Sequence, residues 1–279
     1  MVCSCNGSPK RPPIWYSWNP VRLMPIVVIV SGYVCSAQPA TAQNALTQEE
    51  RTAGWELLFD GVTTNGWRSP SSDRFPQECW AVDDGFLRVL AGGKRFSDLR
   101  STGVYRNFEL SFEWKISAGG NSGVKYRIGS SRKLVFDNGR PLGIEGEVEP
   151  TPTSVFMENV SGLEYQIIDD ERHPDKDNPN TRSGSVYQIV APTDAATKRA
   201  GEMNQSRLVV NGTNIEHWLN GVKVVAVDTK SKTFLDGIAK APQRSQRALQ
   251  YLDQDGPIAL QNHGQEIWFR NIKLRKLPD

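Results

Sequence analysis

Between residues 207 and 227 the chain carries two Asn-Gly pairs, Asn211-Gly212 and Asn220-Gly221, each flanked by runs rich in Val, Leu, Ile and Trp. A two-residue hairpin turn whose twist suits right-handed strands needs positive φ at its central positions, which Asn and Gly tolerate best. The spacing predicts a three-strand antiparallel meander over 207–210, 213–219 and 222–227. Phe108 to Ile116 alternates apolar and polar residues, placing Phe108, Leu110, Phe112, Trp114 and Ile116 on one face. Asp83-Asp84-Gly85 folds 80–82 back onto 86–90, and 163–168 reads as another strand. Segments 257–261 and 267–274 are expected to form a closing pair. Neither βαβ alternation nor a long amphipathic helix appears, so the chain is all-β, a sandwich or a barrel. A short capped helix is expected within 43–53, led by Thr47 and Glu50. Two segments read as excursions from the sheets: 130–160, rich in Gly, Pro and Glu, and the basic 229–253 with a short helix.

The first 42 residues stand apart. They hold no Asp or Glu; Lys10, Arg11 and Arg22 precede an apolar run from Leu23 to Val34, and Ala40-Thr41-Ala42 follows. That is the layout of a signal peptide, with a run too short for a membrane span of about 20 residues. The expectation is an exported protein, periplasmic or extracellular, that begins near Gln43 and makes no stable membrane insertion; an uncleaved anchor is the alternative. Residues 43–54 then form a leader and 55–277 the domain. Removal leaves 30 basic against 31 acidic residues, from 33 and 31 in the full chain. This balance offers no footprint for nucleic acid. Cys3, Cys5 and Cys35 would leave as well, so Cys79 remains without an internal disulfide partner. Beside Trp80 it reads as a buried, unreactive thiol.

Several short tags recur in order: Trp55 to Gly61 with Gly66-Trp67, Asn121-Ser122-Gly123-Val124 with Tyr126-Arg127, and Gly162-Leu163-Glu164-Tyr165-Gln166-Ile167-Ile168-Asp169. Gly184-Ser185-Val186-Tyr187, Gly201-Glu202-Met203-Asn204, Leu260-Gln261-Asn262-His263-Gly264 and Phe269-Arg270-Asn271-Ile272 complete the series. Together, from about Trp55 to Leu277, they resemble the 3-keto-disaccharide hydrolase family. The resemblance implies a concanavalin A-like jelly roll, two curved antiparallel sheets with a glycan site on the concave face. It also implies action on glycosides whose C3 hydroxyl has been oxidised to a ketone. Met203 departs from the family, which usually places Trp before the Asn of that tag.

Read as chemistry, the strand 163–168 alternates, so Glu164 and Gln166 share a face opposite Leu163, Tyr165 and Ile167. On a sheet face joined by Arg127, carboxylate, amide and guanidinium groups suit sugar hydroxyls. An unperturbed imidazole titrates near neutral pH, so a histidine at position 263 suits proton transfer. With the resemblance, His263, Glu164 and Arg127 are the candidate catalytic groups, His263 and Glu164 as acid and base in either order and Arg127 as electrostatic stabiliser or sugar clamp. Gln166, Asn121, Gln261, Tyr187, Asp169, Glu202 and Asn204 are the candidate substrate-binding residues. A 3-keto group acidifies the C2 proton, so abstraction, β-elimination of the C1 substituent and hydration of the enone would give net hydrolysis. A divalent cation at the ketone oxygen is one way to stabilise the enolate, and no other cofactor is implied. His217 reads as structural. The run Asp169 to Asn178 lacks the Gly and Glu of an EF-hand loop and reads as a solvated acidic loop. Two competing readings stay open: a non-catalytic glycan-binding module on the same fold, and a retaining glycosidase using Glu145 and Glu149 from a period-2 strand at 145–149.

Overall fold

The computed structural model describes residues 43–278; the expected signal segment and its three cysteines lie outside the described residues. The strands are, in chain order, β1 Trp55–Leu57, β2 Trp67–Arg68, β3 Trp80–Asp83, β4 Phe86–Val89 and β5 Arg95–Ser97. Then come β6 Leu99–Ser101, β7 Phe108–Ile116, β8 Asn121–Asp137, β9 Arg140–Ile144 and β10 Val155–Ile168. The last five are β11 Asn204–Asn211, β12 Asn214–Leu219, β13 Val222–Asp228, β14 Ala259–Leu260 and β15 Ile267–Lys276. Helix α1 (Gln48–Thr52) opens with the capping box expected of Thr47 and Glu50; α2 (Lys232–Lys240) and α3 (Gln243–Gln246) follow β13.

The strands form two sheets. One runs β13-β12-β11-β7-β15-β4-β3, with β1 added on β15; the other runs β2-β6-β14-β8-β10-β5, with β9 on β8. All pairs are antiparallel except β5 with β10. The molecule is a two-sheet sandwich of the concanavalin A-like jelly-roll class. The predicted meander is β11–β13, and its second turn is carried by Asn220 (φ 49°) and Gly221 (φ 85°). Phe108, Leu110, Phe112, Trp114 and Ile116 of β7 are all buried in the principal core, as their spacing requires. Leu163, Tyr165 and Ile167 of β10 meet them from the second sheet, where Phe112 stacks edge-on against Tyr165 with centroids 5.6 Å apart.

Polar ends that reach the core are satisfied there. The Tyr165 hydroxyl donates to Trp218 O (3.0 Å) and meets Ser206 Oγ, which also accepts from Trp114 Nε1 (2.8 Å). His217 bridges the sheets: its Nδ1 donates to Gly184 O (2.8 Å) while Nε2 accepts from the Tyr126 hydroxyl (2.9 Å). Full burial pushes this imidazole down to about 4, so it is neutral and structural, as expected. Cys79 is buried with its thiol pushed up to about 11, again by burial.

Two expectations about the sheets fail. Segments 257–261 and 267–274 do not pair with one another; β14 lies in the second sheet beside β6 and β8, while β15 lies in the first beside β7 and β4. Nor is 130–160 an excursion. Strands β8 and β10 run on as a long antiparallel ribbon joined by β9, so β8 has 17 residues and β10 has 14. The Gly and Pro content of 138–154 belongs to the turns at the ribbon's tip, and these masked strand signals on either side.

Candidate active site

On the outer face of the second sheet, the period-2 pleat presents Asn121, Gly123 and Lys125 from β8 beside Gln166 and Glu164 from β10. Register confirms the pairing, Lys125 opposite Glu164 and Gly123 opposite Gln166. These residues, except Gly123, line a pocket of about 330 Å³ together with Tyr187, Arg244, Gln261 and His263. Gly123 is required by close approach: a Cβ there would stand 2.4 Å from Glu164 Oε1. The missing methyl is what lets the Glu164 carboxyl lie across the strand.

Glu164 is buried, and desolvation raises its carboxyl to about 7, against the opposing pull of Lys125 and Arg244. It is also held. Gln261 Nε2 donates to Oε2 (3.4 Å), and Gln166, with its amide oriented by its partners, donates to Oε1 (2.9 Å) and to Ser122 O (3.1 Å). Gln261 is itself fixed, because its backbone N donates to Gly123 O and its carbonyl accepts from Ser122 Oγ. Asn121 Oδ1 and Gln261 Oε1 are buried acceptors with no protein donor. Both belong to residues that line the pocket, and a buried acceptor without a donor is unusual enough to call for a partner.

Lys125 supplies the site's buried cation. Its Nζ donates to Asp98 Oδ2 (2.9 Å) and Val160 O (3.3 Å), and pairing with Asp98 helps keep its pKa raised despite burial. Asp98 does more than neutralise: its carboxylate also accepts from Val160 N (3.0 Å) and Asn262 N (3.1 Å). One buried carboxylate therefore ties β8, β10 and the loop carrying Gln261 and His263 into one unit. His263 stands exposed at the pocket edge, and surrounding protein holds its pKa below 6.5, with Lys125 adding to that effect. Tyr187 is placed beside Glu164 by the bond from its own N to Glu164 O, and its hydroxyl accepts from Arg244 Nη2 (3.3 Å). Ser245 Oγ donates to Gln188 Oε1 (2.7 Å), which fixes α3 and Arg244 over the pocket.

Six of the ten residues expected in the site thus come together: Glu164, His263, Gln166, Asn121, Gln261 and Tyr187. Arg127 does not. Strict alternation would place it on the Lys125 face, but its backbone turns left-handed (φ 51°) where Gly162 breaks the β8–β10 register. Its guanidinium instead donates to Gln254 O and Gly212 O, outside the pocket. Asp169 is buried as a turn cap, accepting from the backbone N of Gly119 and Glu171. Asn204 holds its own hairpin neighbourhood through Lys198 N and Asn220 Nδ2, and Glu202 is an exposed residue of the turn before β11. The cations that line the pocket are instead Lys125, Arg132, Arg244 and Arg247. The same alternation that turns Glu164 to the outer face would have found Lys125; no local pattern marks Asp98 or Arg244.

The glycosidase alternative is not built. Gly146 takes φ 92°, so 145–149 is a turn rather than a strand, and Glu145 pairs with Arg95 (3.2 Å) away from the pocket. His173 caps a 3-10 turn through Asp175 N. Among the described residues no group of three or more His, Cys, Asp and Glu gathers as a metal site; Glu164 and His263 are the two such donors in the pocket.

The protein is thus a sandwich of the jelly-roll class whose pocket on one sheet holds a buried carboxyl, amides and the basic side chains of Lys125, Arg132, Arg244 and Arg247. The particular kinship follows from comparison. Residues 54–275 match the model of the 3-keto-alpha-glucoside-1,2-lyase-like domain, and the chain belongs to that family. It is 32% identical over 244 residues to a 3-keto-disaccharide hydrolase of Bacteroides thetaiotaomicron, across 80% of this chain and 79% of that one. Two solved structures of putative glycosyl hydrolases from Parabacteroides distasonis are similar. One has a TM-score of 0.64 and 25% identity over 85% of this chain and 100% of its own; the other has 0.52 and 29% over 76% and 100%. This kinship makes the protein a hydrolase of the glycoside-processing type.

Proposed function

We propose that the hydrolase cleaves 3-keto-glycosides by C2 proton abstraction, β-elimination and hydration, with Glu164 as the base. The observation that carries this reading is the Glu164 carboxyl itself, buried in the pocket, held by two amides and raised to about 7. A base is most effective when its pKa lies near the working pH. The C2 proton passes to Glu164, and the electron pair moves into the C2–C3 bond with negative charge on the C3 oxygen. Two of the three Lys125 hydrogens are taken by Asp98 and Val160 O, and the third is assigned to that oxygen. Collapse of the enolate expels the C1 oxygen, which takes the proton Glu164 now carries. Water then adds at C1 and a proton returns to C2. His263, neutral near pH 7, is assigned to the water, while Asn121, Gln166 and Gln261 orient the sugar. The family model is described as lyase-like and the relative is named a hydrolase; elimination followed by hydration accommodates both words.

Turnover of a 3-keto-glucoside in heavy water, with and without chelator, tests the route. Elimination and hydration place solvent deuterium at C2 of the product, and direct hydrolysis does not. Binding without turnover would leave only a glycan-binding role. The same reading includes export, on the strength of the Leu23 to Val34 run and Ala40-Thr41-Ala42; sequencing of the secreted protein from Gln43 supports it, and an intact Met1 in membranes refutes it.

A further inference from the structure

The β8–β10 ribbon changes character along its length. Beyond the break at Gly162, cross-strand pairs on the pocket face run Ser130–Ser161, Arg132–Asn159, Leu134–Met157 and Phe136–Val155. The order is polar, charged, apolar, apolar. Register also places Phe96 of β5 opposite Met157 and Ile144 of β9 opposite Leu134. Residues directly opposite in register share a face. Phe96, Met157, Leu134 and Ile144 therefore form one apolar row across four strands, with Phe136 in the next.

This row belongs to the pocket of Glu164, since Leu134, Phe136 and Met157 line it. Its near end reaches the catalytic loop: a Cβ on Gly264, next to His263, would meet the Phe96 ring at 2.8 Å. The far end is open, for Ile144 is 47% exposed. The row contains no polar side chain. The nearest polar pair on this face is Arg132–Asn159, so a second sugar centred on the row would leave the hydroxyls lying over Phe96, Met157 and Leu134 without partners, at a cost for each one left unpaired. A ring-bearing hydrocarbon group would bury the same surface with gain.

We propose that the ribbon is the leaving-group seat, and that the preferred substrates are 3-keto-glycosides of apolar, ring-bearing alcohols rather than of a second sugar. The proposal rests on the elimination reading above for its chemistry, but the seat itself is a binding property. The departing alcohol leaves as its oxygen is protonated, so no co-reactant beyond water is needed.

The test compares the 3-keto forms of methyl glucoside, cyclohexylmethyl glucoside and a glucose disaccharide, so that the two alkyl leaving groups differ in apolar area more than in leaving ability. Wild-type kcat/KM should favour the cyclohexylmethyl over the methyl compound by roughly 10–100-fold, chiefly through KM, from the apolar area buried. The disaccharide should show no such gain. Leu134→Ser with Met157→Ser should bring the ratio towards one, and Ile144→Ser, at an exposed position, should reduce it without risk to the fold. Calorimetric titration with the unoxidised alkyl glucosides gives a second reading. A binding preference for cyclohexylmethyl that the variants lose, in a protein that turns over neither keto compound, would sink the reaction while supporting the seat. Equal kcat/KM and equal affinity for the two alkyl compounds, or variants that lower both alike, would overturn the proposal.

Discussion

The meander β11–β13 and the ribbon β8–β10 are both antiparallel, and each buries a titratable group, but to opposite ends. In the meander, His217 has both nitrogens bonded within the protein and its charge is driven off. In the ribbon, Glu164 is comparably buried but faces a pocket where Asn121 Oδ1 and Gln261 Oε1 still lack donors. Burial alone does not make a reactive group. What separates the two is whether the fold completes the polar network or leaves it for a ligand. The closed network ties the sheets together; the open one is available for chemistry.

The comparison breaks most visibly in the shared core. Phe112→Ala should cost about 3–5 kcal/mol in denaturant unfolding, because its buried ring packs against both Tyr165 and Phe269. A loss well under 1 kcal/mol would mean that β7 does not anchor both regions.

Next in size are two opposite pH responses. The unfolded chain protonates His217 near 6.5 and the folded one near 4, so the unfolded state binds more protons in that window. Stability should fall as pH drops from 6.5 to 4, by on the order of 3 kcal/mol, a response that the neutral replacement His217→Gln should lack whatever its own cost. Glu164 goes the other way. Folded it holds its proton to about 7 against 4.5 unfolded, so stability should fall as pH rises from 4.5 to 7 and stay level above. Glu164→Gln should therefore gain on the order of 3 kcal/mol over wild type at pH 8 relative to pH 4, read as the difference in unfolding free energy. Equal pH dependence in wild type and both variants would erase the contrast.

A smaller effect sharpens the geometry. Gly123→Ala places a methyl against the Glu164 carboxyl, a flexible end that can swing aside. Turnover should drop by roughly 10–100-fold, as expected when a reacting group is misplaced by about an ångström, while the melting temperature stays near wild type. Unchanged turnover would show that the carboxyl position is not critical.

Much of this contrast was legible in the residues. The meander was, because Asn-Gly turns and apolar alternation act within a few positions. Glu164 and Gln166 were, because their strand obeys the same rule, and His263 followed from the resemblance. The failures share a cause. Arg127 was misplaced because its left-handed backbone cancels the alternation, and nothing in Tyr126-Arg127-Ile128 announces that. Asp98 joins partners 27, 62 and 164 residues away, a relation no local pattern encodes. The ribbon reads as an excursion in the sequence because its turn residues outweigh two strands whose pairing is long-range.

The role of Glu164 as the base of the reaction is tested most directly by the pH dependence of kcat/KM on a 3-keto-glucoside. Wild type should show activity rising with pH through an apparent pKa near 7, the value burial gives this carboxyl. Glu164→Gln should lower turnover by about 10²–10⁴-fold and lose that limb. A Glu164→Gln variant that keeps near-wild-type turnover with the same rising limb would contradict the account.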